Sequence, residues 1–362
     1  MAGTSIYSVY RRTARAAAKQ QVVKKTSNID IERAREDFAY FCDVVGDKPP
    51  AAHHKEWHRY LCTGKDSECL VGIGGPNIDI LAPRGSAKST ILGLYTAWTV
   101  GIHALKRLPL KVLYISYTVD VARPKSAAIK RIIEESKAYR EIFPKVKIAK
   151  GINSNEYWSI DWKFAGIKST GEEEFTVCCA GLKGAVTSKR SHLCIIDDAI
   201  KSADDIKNRD IRQAMQDNWN SVIVPTMFEG GRAICLGTRF RHDDIHNSTF
   251  TPANDWVQIV QSAITVDKDG EEISYWPDMW SLDYLRDRRR QAPVAFSFQY
   301  QNQIVQTSEL SLSPDLIVKG AIATQFDEMG IGVDLSAGVR EQNDFTVFVL
   351  SLIHISAPTR PY

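Results

Sequence analysis

The sequence has no apolar run near the roughly 18 residues of a membrane-spanning helix, and its N-terminus lacks the apolar core of a secretory signal. A soluble protein acting inside a cell, with no membrane partner, is therefore expected. Its seven cysteines include no C-x-x-C pair, which removes the spacing that a zinc site or a redox pair uses. Cys178, Cys179, Cys194 and Cys235 lie in apolar, strand-like runs and are read as buried free thiols, while Cys62 and Cys69 stand alone. Acid is missing before Asp30, yet Arg11, Arg12, Arg15, Lys19, Lys24 and Lys25 precede it. This stretch reads as a flexible basic tail, with a DNA-facing arm as the other reading. The net charge of +3 is too small to name a nucleic acid partner by itself.

What is present is a chain of 362 residues that is 44% apolar, enough for two domains or for one large and one incomplete. Residues 78–90, IDILAPRGSAKST, are central to it. Ile78, Ile80 and Leu81 predict a buried strand; Ile91, Leu92, Leu94, Tyr95 and Trp98 continue at helical spacing. The turn between them sits at a helix N-terminus, where unpaired N–H groups and the helix dipole favour an anion. Lys88 adds a full charge for phosphates, and the hydroxyl of Ser89 can ligate Mg²⁺. Glycine is missing at two places where a phosphate loop normally has it, since Ala82 and Ala87 stand there and Gly85 lies inside the turn. Either these alanines keep negative φ, or the loop is strained by about 1 kcal/mol. On pattern alone, a strand–turn–helix with a solvated lysine remains open.

Along the chain, 29–45 predicts one amphipathic helix ended by Gly46 and Pro49-Pro50. A second helix at 53–61 carries Trp57, which is read as helix core or as a surface for a nucleobase. Strands are expected at 111–117, 177–180, 192–198 and 232–236, a helix at 119–137, and surface hairpins in the polar stretch 151–174. This alternation calls for a parallel sheet covered on both faces. Ligands of such sheets bind beyond the carboxyl ends of the strands, where both the turn at 84–90 and the pair Asp197-Asp198 fall. Asp197 is read as holding Mg²⁺ through water and Asp198 as polarising the water that attacks a γ-phosphate. Thr238, ending its strand, is placed to sense that phosphate. Arg239 and Arg241 can neutralise charge or pair with solvent-exposed acids.

The stretches APRGSAKST, IIDDAIKSADD and LGTRFRHDDI, with residues 276–303, together resemble the terminase large subunits of tailed bacteriophages, the DNA-packaging motors. The likeness runs from about residue 53 to 303 and continues into GIGVDLSAGVREQNDFTVFVL. It implies an α/β fold: a P-loop NTPase with a mostly parallel central sheet flanked by helices, followed by the first strands of an RNase H-like nuclease. The expected division is a basic arm and helix at 1–50, the ATPase with its linker at 51–310, the start of the nuclease at 320–350, and an unrelated tail at 351–362. By this resemblance Arg84, Gly85, Ser86, Ala87, Lys88, Ser89 and Thr90 bind ATP, with Arg84 the added arginine of terminase loops and a leading source of catalytic charge. Ser89 and Asp197 take the Walker metal roles, Asp198 the catalytic carboxylate, and Gly237-Thr238 the coupling motif. Arg190 and Arg239 are candidate arginines acting on a neighbouring subunit or as sensors.

The cofactors implied are ATP and Mg²⁺, with Mg²⁺ or Mn²⁺ for a complete nuclease. The partners implied are double-stranded DNA, the capsid portal, a small terminase subunit and further copies in a ring, in the host cytoplasm and at the procapsid vertex. Asp334 is the tentative first nuclease ligand and Asp344 opens the next strand. A two-metal site needs more carboxylates than these. Because HISAPTRPY contains two prolines, the tail is not expected to continue a hairpin and the nuclease is expected to be truncated and inactive. The run RDRRR at 286–290 is a DNA-backbone contact or, more plainly, a solvated helix face. Another nucleic-acid-dependent ATPase or helicase, or a non-catalytic portal-docking module, are the alternative functions.

Overall fold

The strands of this chain are apolar at consecutive positions, as in a sheet buried on both faces. The computed structural model describes residues 29–46, 49–62, 75–168, 175–184, 189–303, 328–334 and 347–353. The chain divides into two units, Met1–Val305 and Gln306–Tyr362. The first unit opens with α1 (Ile31–Glu36), α2 (Phe38–Val45), α3 (Ala52–Cys62), β1 (Asn77–Leu81) and the long α4 (Lys88–Leu105). It continues through β2 (Val112–Ser116), α5 (Val119–Glu135), α6 (Lys137–Ile142), β3 (Ile148–Asn153), β4 (Tyr157–Ile160), α7 (Trp162–Ala165), β5 (Val177–Gly181) and β6 (Ser191–Asp197). After α8 (Arg209–Asn218) come β7 (Met227–Gly237), α9 (Ile245–Ser248), β8 (Trp256–Val260), the hairpin β9 (Ile264–Val266) and β10 (Glu272–Ser274), then α10 (Leu282–Gln291) and α11 (Pro293–Gln299).

The sheet runs β3-β4-β5-β2-β6-β7-β1-β8. From β5 to β8 every pair is parallel, and β3 and β4 add an antiparallel edge. Side chains alternate between two cores. Tyr114, Ile195 and Ile234 face the helical layer that holds Phe41, Trp57, Trp98, Ile129 and Tyr139. Ile115, Cys194, Ile196 and Cys235 face the opposite core, built on Met215, Trp219, Phe250 and Trp256. Because the central strands are parallel, the carboxyl ends of β1, β6 and β7 lie at one edge, with Leu81 beside Gly237 and Asp197 beside Leu236.

Several expectations change. The helix expected over 29–45 is two helices, divided at Asp37, whose backbone is extended (φ −110°, ψ 101°) and whose carboxylate caps Tyr40 N at 3.1 Å. An aspartate that satisfies a free helix N–H outweighs one more helical residue. Of the expected surface hairpins at 151–174 one is found, β3 paired antiparallel with β4, but it is not confined to the surface: β4 also pairs with β5, and Trp158 is fully buried with its indole N–H donating to Ser126 Oγ at 2.8 Å. Trp57 is also fully buried, which leaves it in the core and not on a nucleobase. The RDRRR run is largely paired within the chain, Arg286 and Arg289 meeting Glu272 at 2.8 and 2.7 Å and Arg290 meeting Asp287.

In the second unit β11 (Glu328–Asp334) and β12 (Val347–Ile353) form an antiparallel pair. Strand β12 thus enters three residues of the expected tail. The basic segment at 1–28, Cys69, Asp344 and the side chain of Asp334 lie outside the described residues.

Candidate nucleotide and metal site

The turn joining β1 to α4 resolves the question of its alanines. Ala82 continues the strand, fully buried, and its N–H donates to Gly237 O at 2.9 Å. Ala87 takes the left-handed conformation at φ 60° that a glycine would accept freely, so the strain of about 1 kcal/mol sits at this one position. Gly85 also has positive φ, 79°. The hydroxyl of Ser86 is buried without a hydrogen-bond partner among the described residues, an orphan donor facing the loop that an anion can satisfy.

Lys88 is 7% exposed and folds back over its own loop. Its ammonium donates to the carbonyls of Ala82 and Pro83, both at 3.1 Å, and to Thr238 Oγ1 at 3.0 Å. Burial pulls its pKa down, opposed by the charges of Asp198 and Asp197. Asp197 ends β6 with no exposure, and its carboxylate meets three donors. Ser89 Oγ donates to Oδ1 at 2.9 Å, Tyr114 OH to Oδ2 at 2.7 Å, and Lys125 Nζ lies 3.0 Å from Oδ2. Burial raises the Asp197 carboxyl pKa, and Lys125 works against that rise.

Asp198 follows at φ 54°, a second strained residue of the site. It lines a cavity of about 390 Å³ together with Arg84, Gly85, Ser86, Ala87, Lys88, Ser89, Thr90, Lys125 and Thr238. The left-handed turn leaves Asp198 on the cavity lining, directly after the end of β6. Hydroxyl and carboxylate oxygens meet here, Ser89 with Asp197 and with Asp198 nearby, and such hard donors suit Mg²⁺, which keeps waters and phosphate oxygens as its other ligands. A different cluster, Asp79, Cys235 and His246, has ligand atoms within 4.8 Å of one another. There Asp79 is already taken up by His246 Nδ1 at 2.9 Å and Gln258 Nε2 at 3.0 Å, which makes it a buried hydrogen-bonded group.

Arg84 lines the cavity, with its backbone N–H donating to Gln299 O at 2.8 Å, but not every expected residue reaches it. The guanidinium of Arg239 turns to Asn302 O at 3.2 Å and does not line the cavity. Arg190 precedes β6 at the end opposite Asp197, with its guanidinium 5.9 Å from the Phe228 ring centroid. Gly237 is required by space, because a Cβ there would lie 2.5 Å from His246 Cε1.

No motif marks Lys125, Tyr114 or Ser116, whose hydroxyl donates to Asp197 O at 2.5 Å. Asp79 is different, because it interrupts an apolar strand and a buried carboxylate needs a partner. His54 was missed as a support for the loop. Its Nδ1 accepts from Ala51 N at 3.1 Å, so its Nε2–H donates to Ser86 O at 2.8 Å.

No protein-family model and no curated protein matches the sequence. Solved structures do resemble the fold. One is an ATPase-domain mutant of the large terminase of Thermus phage P74-26, 15% identical with a TM-score of 0.44 over 73% of this chain and 98% of that one. Another is the large terminase of bacteriophage HK97, 14% identical with a TM-score of 0.45 over 76% of this chain. A third is the large terminase of a thermophilic bacteriophage, 10% identical with a TM-score of 0.43 over 85% of this chain. The chain spans 56% of the HK97 protein and 66% of the thermophilic one. In fold, the chain is similar to the large terminases of bacteriophages.

Proposed function

We propose that this chain is an ATPase of the terminase large-subunit type, which hydrolyses ATP to drive double-stranded DNA into a procapsid. The observation that carries the reading is the convergence of three separated motifs on one cavity. Lys88 is hydrogen-bonded to Thr238, and Ser89 to Asp197. The loop N–H groups and Lys88 bind the phosphates, and Ser89 and Asp197 would hold Mg²⁺. When bound, that ion neutralises phosphate charge.

Asp198 orients the attacking water and accepts its proton. Arg84 supplies positive charge to the transferring phosphoryl group, a contribution that is often ~10³ to 10⁵ in rate for a well-placed arginine. To meet a phosphate, the ammonium of Lys88 leaves the Ala82 and Pro83 carbonyls and its bond to Thr238. Thr238 thereby registers occupancy, and its strand β7 passes the change along the sheet edge. Grip on DNA rests on backbone contacts from lysines and arginines, since reading sequence would stall a motor. The portal, a small subunit and further copies of the chain complete the machine.

The test is ATP hydrolysis by the wild type and by Asp198→Asn. The variant is expected to bind ATP normally and to lose turnover by at least about 10²-fold. Equal loss of binding and turnover would reassign Asp198 to folding or to metal binding. Strand displacement on a forked duplex would favour a helicase, and DNA or portal binding with no turnover at all would favour a docking module.

A further inference from the structure

Lys125 is the part of the site that no motif announces. It sits on α5, one residue after the helix-interior Pro124, and its ammonium makes four contacts at the carboxyl end of β6. These are Asp197 Oδ2 at 3.0 Å, Asp197 O at 3.1 Å, Ser116 Oγ at 3.2 Å and Asp198 Oδ2 at 3.9 Å. Its side chain is 18% exposed, and it lines the same cavity as Lys88. Asp197 has no exposure, and an isolated carboxylate there would be strongly disfavoured as an anion. The tethered cation removes that penalty while the cavity holds no other.

We propose that Lys125 is a built-in counter-cation of the Asp197–Asp198 pair. It holds both carboxylates ready when the cavity is without nucleotide and competes there with a divalent ion. This inference rests on the reading of Asp197 as a metal-holding residue. Metal alone must displace the ammonium, which would then be left beside a dication with no new anion to meet. Metal arriving with a nucleotide brings phosphates to which the ammonium can turn. The device therefore ties metal retention to nucleotide occupancy and keeps the pair from being loaded by metal alone. Lys125 acts through the carboxylates, as a positioning residue.

The experiment measures Mn²⁺ binding by electron paramagnetic resonance on the full chain, with and without a non-hydrolysable ATP analogue. Variants are Lys125→Met, which keeps bulk without charge, and Lys125→Arg, which keeps charge. Without nucleotide, Lys125→Met is expected to bind Mn²⁺ at least about tenfold more tightly than wild type, and Lys125→Arg to stay close to wild type. With the analogue, all three should bind Mn²⁺. Unchanged or weaker nucleotide-free binding in Lys125→Met overturns the proposal. If that variant does not fold, Lys125→Gln, which retains a donor for Asp197, is read in the same way. Absence of Mn²⁺ binding in wild type even with the analogue would instead overturn the reading of Asp197, and this inference with it.

Discussion

At the scale of single residues, the site depends on groups held in unusual states. His53, His54 and His58 on α3 are all buried, His54 against the turn at 84–90 and His58 against Phe38. Burial, reinforced by neighbouring His54, pulls His53 down to about 3 and His58 to about 4. Both therefore stay neutral in the folded protein while the unfolded chain takes up protons near the usual 6.5. Their stability contribution is complete above pH 6.5 and is lost as the pH falls toward 4 and then 3, by about 1.4 kcal/mol per pH unit for each histidine. Urea unfolding at pH 7, 6 and 5 measures this slope, and His58→Leu should flatten it by one histidine's share. An unchanged slope would mean that His58 takes up protons alike in the folded and unfolded chain. Lys88, Ser89 and Asp197 were legible because each has a fixed place in a strand–turn–helix or strand-end pattern. Lys125 and His54 were not, because nothing in their own neighbourhoods marks them. Their roles come from contacts with residues tens of positions away.

At the scale of elements, the turn at Gly237-Thr238 lies beside β1 and the short helix α9. His246 on α9 is fully buried, and although burial lowers its pKa, Asp79 on β1 outweighs this and raises it above the ordinary histidine value. The same imidazole fills the space over Gly237 on β7. Gly237→Ala must push the ring away or shift the turn, and is expected to cost about 1–3 kcal/mol. ATP turnover should fall as well, because Thr238 moves with the turn. Thermal melts and ATPase rates measure the two effects, and a variant unchanged in both would show that the turn has room. Periodicity located most strands and the long α4, because consecutive apolar residues leave little choice in a doubly covered sheet. It missed the division at Asp37 and the buried β4. In both, a local polar group, a capping carboxylate or the charged flanks of Trp158, hid what the tertiary packing decides.

At the scale of the whole molecule, the position of Arg190 bears on the proposed sharing of a site between copies of the chain. From Ser191 to Asp197 the strand rises about 20 Å, so Arg190 lies too far along β6 to serve the cavity of its own subunit. If a neighbour supplies it, Arg190→Ala should bind ATP normally and lose turnover. Mixing it with Lys88→Ala should then restore part of the activity, because one partner keeps a complete loop and the other a usable arginine. No recovery on mixing would place Arg190 outside catalysis. The parallel sheet and the carboxyl-end location of the turn at 84–90 followed from the alternation of strands and helices, whereas the strand order came only from the pairing itself. The pairing of Lys88 with Thr238 did not follow from it either, since it joins positions 150 residues apart. The most direct measurement is steady-state ATP hydrolysis with and without double-stranded DNA, wild type beside Lys88→Ala. The expected result is turnover in the wild type, stimulated by DNA, and none in the variant. Equal turnover in both, from a clean preparation, would contradict the assignment of the cavity as the ATP site.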